Sequence, residues 1–235
     1  MAASALPPSR SLSGPDGQVT SPLRKAVFGL ALLVLTGLSG CQTAYYAAWE
    51  KLGYEKRDIL VSRVEDARDA QEEAKEEVVS ALESFSQAVN FKGGELEKQY
   101  QRFKSQLEAS EEAAANVSDR VDKVQSTGSA LFKEWEGELD TYSNRSLRQR
   151  SELQLRDTRS RYGTMLTAMQ KARDRLEPAL RPLRDQVLFL KHNLNARALT
   201  SLKDEVRKVD IEVNRLIEDI NVAVDEANGF INQIQ

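Results

Sequence analysis

Residues 96–142, LEKQYQRFKSQLEASEEAAANVSDRVDKVQSTGSALFKEWEGELDTY, repeat small or apolar side chains at alternating steps of three and four residues. This spacing places those side chains along one face of an α-helix. The repeat lasts for about six heptads, a length typical of coiled coils. The repeating positions are Leu96, Tyr100, Phe103, Leu107, Ser110, Ala114, Val117, Val121, Val124, Gly128, Leu131, Trp135, Leu139 and Tyr142. We therefore expect one long amphipathic helix here.

Three further stretches have the same spacing, at residues 60–88, 155–194 and 199–231, and Gln71 alone breaks the first of them. Helices of this length joined by short connections pack as antiparallel neighbours. The sequence therefore predicts an all-α fold: an elongated antiparallel helical bundle or coiled coil, with four long helices of roughly 60 to 70 Å.

The expected breaks follow from turn and capping residues. Glycines in Phe91–Gly94 end the first helix, and Ser146 with Gln149 forms a capping box that starts the third. Asn193–Asn195 has no Gly or Pro; we favour a turn there, and one very long last helix is the alternative. Pro178 and Pro182 should kink or interrupt the third helix, since each lacks a backbone donor.

The first forty residues are typical of an N-terminal extension and a signal peptide. Arg24 and Lys25 precede the apolar run AVFGLALLVLTGLSG, residues 26–40, which is shorter than the ~20 residues that span a bilayer. Residues 1–23 are rich in Ser, Pro and Gly, and are either a genuine extension or the product of a wrongly assigned start. We expect residues 41–235 to form a single extracytoplasmic helical domain.

Cys41 is the chain's only cysteine, so an intramolecular disulfide is excluded. Leu38, Ser39 and Gly40 precede it, and the four residues resemble the lipobox of bacterial lipoproteins. That resemblance implies cleavage before Cys41 and attachment there of lipid and of acyl chains such as palmitate. Gln42, where Asp would favour inner-membrane retention, implies the outer membrane. The alternative is a buried free cysteine beside a membrane helix.

The composition excludes several function classes. The net charge of −3 makes nucleic-acid binding unfavourable. His192 is the only histidine, so a two-histidine metal site is excluded. We expect the acidic residues between Glu65 and Glu77 to be a solvated or ion-paired helix face. The sequence predicts no catalytic residue, cofactor, metal or small-molecule substrate.

Two surfaces remain as candidates for binding. The first is a basic cluster that opens the third helix near the lipid end, where it either meets anionic headgroups or pairs with neighbouring helices. The second is the far end of the bundle, a candidate contact for a protein partner. The cluster contains Arg145, Arg148, Arg150 and Arg156, and the partner tip contains Phe91, Lys92, His192, Asn193 and Asn195.

The stretches YYAAWEKLGYEKRDILVSRVEDARDAQEEAKEE, from residue 45, and FLKHNLNARALTSLKDEV, residues 189–206, resemble the bacterial lipoprotein family called domain of unknown function 2959. The resemblance covers residues 41–235 and implies a location and a shape but no activity. We predict a lipid-anchored, periplasm-facing helical rod that contacts envelope proteins. The alternatives are an adaptor that docks a partner of an export or stress system through the distal tip and, less favoured, an enzyme.

Overall fold

The computed structural model describes residues 56–93 and 95–234, and the regular secondary structure of these residues is entirely α-helical. The helices are α1 (Lys56–Asn90), α2 (Leu96–Leu139), α3 (Arg145–His192), α4 (Ala196–Ser201) and α5 (Lys203–Ile234). The all-α prediction is therefore confirmed, and so is the number of long helices. Only α2 and α3, of 44 and 48 residues, reach the expected length, because α5 has 32 residues and extends for about 48 Å. The short helix α4, which lies between the third and the fourth, was not predicted.

The four long helices form a bundle in which each lies beside two others, in the order α1, α2, α3, α5 around the bundle. Neighbouring helices run antiparallel, as shown by contacts that join the end of one helix to the start of its neighbour. Phe85 near the end of α1 stacks on Phe103 near the start of α2, with ring centroids 5.1 Å apart. Arg161 near the start of α3 likewise contacts Gln233 near the end of α5.

The core consists of the predicted apolar stripes. In α1 the stripe is buried from Leu60 to Ala88, and α2, α3 and α5 each add a similar row. The prediction is wrong at the end of the second stripe, because Tyr142 is 41% exposed. Residues 53–235 form a compact unit with its own core, so this part of the chain contains the packing that a stable fold needs.

The helix ends differ in part from the expectation. The first break and the turn at Asn193–Asn195 are present. The capping box is wrong: Asn144 is the N-cap of α3, and its side chain accepts hydrogen bonds from the backbone N–H groups of Ser146 and Leu147. Asn144 directly precedes the helix, so its side-chain oxygen Oδ1 reaches the free backbone N–H groups of the first turn.

Helix α3 continues through Pro178 and Pro182, so the expected interruption does not occur. Both prolines are half-buried, and the leucines around them are almost fully buried. The missing donor of each proline affects one backbone hydrogen bond, whereas the buried leucines hold both sides of the segment in the core. Packing therefore decides the outcome. These leucines are Leu176, Leu180 and Leu183.

Tyr162 of α3 joins three helices in the interior. Its hydroxyl donates to the carbonyl oxygen of Val124 at 3.1 Å, and its ring packs edge-on against Phe132 of α2 and Phe230 of α5. Burial raises the pKa of this phenol to about 12. The ring occupies the space beside Gly128, where a Cβ atom would collide with it. A larger residue at position 128 would displace the tyrosine.

Gln71 is the one polar residue in the buried stripe of α1, and it is only 1% exposed. Its Nε2 donates to the carbonyl oxygen of Met169 at 3.0 Å. Its buried Oε1 has no hydrogen-bond partner among the described residues. A buried acceptor without a partner reduces stability by about 1–3 kcal/mol.

We expect Gly128→Ala to lower the free energy of unfolding by about 1–3 kcal/mol, because the added methyl group has no room beside Tyr162. Gly163→Ala is the matched control: its Cβ would meet nothing within 4 Å, so the better helix propensity of alanine should raise stability by up to about 1 kcal/mol. Urea denaturation followed by circular dichroism measures both. Equal effects of the two substitutions would contradict the packing argument.

We expect Gln71→Met to raise the free energy of unfolding by about 1 kcal/mol, because methionine keeps a similar volume and removes the unpaired acceptor. Thermal denaturation of the two proteins at neutral pH is the measurement. A lower melting temperature for the methionine variant would show that the bond to Met169 outweighs the unpaired oxygen.

Candidate functional site

The two ends of the bundle contain the candidate surface residues. At one end, α2 and α3 extend past the level where Lys56 pairs with Glu134 and Arg161 contacts Gln233. Residues 133–156 at this end are called the base hairpin. At the opposite end, the α1–α2 connection lies with the end of α3, α4 and the start of α5. Residues 84–93 and 186–203 there are called the distal tip.

Interhelix polar contacts hold the base hairpin together. The indole Nε1 of Trp135 donates to Ser151 Oγ at 2.8 Å, and Arg148 pairs with Asp140 at 2.9 Å. Between these helices, Asn144 caps the first turn of α3. The hairpin therefore keeps its shape beyond the level at which the four-helix core ends.

The predicted basic cluster lies on the first turns of α3, and all four of its arginines are exposed. Of the four, Arg148 alone forms an ion pair with a described residue. Further along the helix, Arg159 pairs with Glu136 and lowers the pKa of that carboxyl group. Interhelix pairing therefore accounts for part of the arginine-rich segment. Arg145, Arg150 and Arg156 remain exposed, beside the exposed apolar residues Tyr142, Leu147 and Leu153.

At the distal tip, two of the predicted partner residues have structural roles. Asn193 is the C-cap of α3 and donates from Nδ2 to the carbonyl oxygen of Phe189 at 2.9 Å. Asn195 caps α4 by accepting from the N–H of Ala198 at 3.0 Å. Lys92 and His192 are exposed, and Phe91 is half-buried.

Sequence reasoning missed the larger part of the exposed surface at the distal tip. Leu188 is 60% exposed and Phe189 is 38% exposed on the last turns of α3. Lys191, Arg197 and Lys203 are exposed as well. One available signal was the run of residues 186–203, which contains no Asp or Glu.

On the acidic face of α1, Asp66 and Asp69 form ion pairs, and Glu72, Glu73 and Glu76 are exposed to solvent. Asp66 accepts from Arg63 on its own helix and from Arg120 on α2, at 3.4 and 3.1 Å. Asp69 pairs with Arg68 at 2.7 Å. In the described part of the chain, no three His, Cys, Asp or Glu side chains lie close enough together to hold a metal ion.

The predicted lipid-attachment residue Cys41 and the lipobox residues Leu38, Ser39 and Gly40 lie outside the described residues. Among residues 56–93 and 95–234, none of the helices combines the length and the apolar character needed to cross a bilayer.

Comparison with known proteins identifies one family. The model of a family described as "Protein of unknown function (DUF2959)" matches residues 45–234. No curated protein matches the chain.

We expect Asn144→Ala to lower the free energy of unfolding by about 1 kcal/mol, because two N–H groups of α3 lose their acceptor. Ser146→Ala, two residues away, should leave stability unchanged within experimental error, because its hydroxyl is not the cap. Chemical denaturation of both variants decides between the two residues. If only Ser146→Ala lowered the free energy of unfolding, the capping box of Ser146 and Gln149 would be the correct description of this helix start.

Proposed function

We propose that this chain, which belongs to the DUF2959 family, is a lipid-anchored protein of the bacterial cell envelope with a structural or protein-interaction role. The family is uncharacterised and supplies no activity. The proposal has two parts, the anchor at Cys41 and the non-enzymatic nature of the helical bundle, and different observations support each.

One observation carries the anchor: the chain's only cysteine directly follows a basic-flanked apolar run and two small residues. Cys41 precedes the matched family region, which begins at residue 45. The apolar run therefore lies outside the family domain, as expected for a signal that is removed. Attachment of more than one acyl chain would make membrane binding stable, since a single chain binds reversibly.

Packing of the bundle supports a structural role. Enzyme sites combine a cleft with titratable groups whose pKa values are strongly shifted. Here side chains fill the interior, and the lowered carboxyl pKa values of the described residues have ordinary surface causes. The pKa of Glu177, for example, is lowered by its hydrogen bond with Arg184. Burial raises the pKa of Asp219, but hydrogen bonds from Lys171 and Arg175 outweigh that effect and lower it.

The surfaces left for interaction are the ends and the exposed faces of the bundle. Helices of 44 and 48 residues extend for about 66 and 72 Å. This geometry suits a spacer or a scaffold for envelope proteins.

We expect cells that express the chain to incorporate labelled palmitate into it and to retain it in the membrane fraction. Cys41→Ala should abolish the labelling, because the chain has no other cysteine to accept the lipid. Gel fluorography of the immunoprecipitated protein is the measurement. Labelling of the alanine variant, or an unlabelled parent chain, would refute the anchor.

Gln42→Asp is the companion substitution, because Asp at this position favours inner-membrane retention in bacterial lipoproteins. The variant should keep its label but move from the outer to the inner membrane in a sucrose gradient. If the labelled variant stayed in the outer-membrane fraction, the sorting proposal would be wrong, but the anchor at Cys41 would not be affected.

A further inference from the structure

The distal tip is basic, although the chain as a whole is acidic. The sequence contains 36 Asp or Glu residues, yet none falls in residues 84–93 or 186–203. Four Lys or Arg side chains lie in these segments, all are exposed, and none forms an ion pair with a residue of the described part. These four are Lys92, Lys191, Arg197 and Lys203.

Three of the six carboxylates that border the distal tip are already paired with cations outside it. Glu95 pairs with Lys98 at 3.7 Å, and Glu97 accepts a hydrogen bond from Gln101. Asp204 and Glu205 at the start of α5 pair with Arg207 and Lys208, each at 2.7 Å. Glu83 and Asp185, which directly precede the two tip segments, and Glu97 have no ion pair in the described part. The tip therefore keeps a local positive charge.

Leu188 and Phe189 add exposed apolar surface within one turn of Lys191. The core does not need them, because Leu190, Leu199 and Leu202 close this end of the bundle and are buried. Exposed apolar side chains beside unpaired cations are typical of surfaces that enter the headgroup region of anionic membranes.

We propose that the distal tip binds an anionic lipid bilayer through these four cations, with Leu188 and Phe189 entering the headgroup region. The cations come from four separate segments: the α1–α2 connection, the end of α3, α4 and the start of α5. They are spread over the end of the bundle instead of lining one groove. A broad, uniformly charged surface suits this arrangement better than a single acidic peptide does.

The proposal goes beyond the anchor at Cys41 and does not depend on it. Together with the anchor, it gives the protein two lipid contacts, one covalent and one electrostatic.

The test uses the unacylated polypeptide from Gln42 onward, since residues 53–235 form a unit with its own core. It is mixed with vesicles of equimolar phosphatidylglycerol and phosphatidylcholine, or of phosphatidylcholine alone, and the sedimented fraction is measured. We expect binding to the anionic vesicles only, and weaker binding as the salt concentration rises.

Two variants with equal charge changes locate the contact. The tip variant K92Q/K191Q/R197Q/K203Q should bind anionic vesicles at least about tenfold more weakly. The base variant R145Q/R148Q/R150Q/R156Q should bind within about twofold of the parent chain, because five Asp or Glu residues in the base hairpin offset its arginines, whereas the tip segments contain none. Circular dichroism confirms that both variants remain helical.

The apolar part has its own variant, L188S/F189S. This variant should keep the binding to anionic vesicles that weakens with salt, but it should lose the fraction of binding that persists at high salt.

An equal loss of vesicle binding in the tip and base variants would overturn the proposal, and so would a loss of binding confined to the base variant. A parent chain that binds neither kind of vesicle would also overturn it and would favour an acidic protein segment as the ligand. None of these outcomes bears on palmitate labelling of Cys41, so the two proposals fail independently.

Discussion

Burial of one apolar stripe from each long helix is the constraint on which the rest of the structure depends. None of these helices has another way to remove its stripe from water, so the four must pack together. The stripe of α1 is buried along almost its whole length, and the aromatic contacts of Tyr162 join α2, α3 and α5. Gly128 leaves the space that this ring occupies.

The side faces of the bundle contain charge pairs between neighbouring helices. Pairs such as Arg173–Asp122 and Arg184–Glu111 join α3 to α2 along their length. Most Lys and Arg side chains without an ion pair in the described part lie at the ends, where neighbouring helices stop or turn, whereas carboxylates without one, such as Glu72 and Glu76, also lie along the sides. This is why both candidate surfaces lie at ends, and why the distal tip differs in charge from the rest of the molecule.

The heptad spacing predicted the core closely, because a helix that carries a continuous apolar face has few other ways to bury it. It failed where a local feature competes with packing. Pro178 and Pro182 were expected to kink or interrupt α3, and the interruption does not occur because the buried leucines beside them keep the helix continuous. Tyr142 continued the repeat and is nevertheless exposed, because it lies in the base hairpin beyond the end of the four-helix core. Gln71 broke the repeat and is nevertheless buried.

The sequence by itself determined the helical class, the positions of the long helices and the family, since periodicity and local turn signals are properties of consecutive residues. It also contains the whole case for Cys41. Only the tertiary structure decided which exposed charges lack partners. Lys92 and Lys203 are more than one hundred residues apart in the chain, and the antiparallel packing brings their segments to one end. Ion pairs between helices depend on that packing, so the charge left over at the distal tip could be identified only after every long helix was in place.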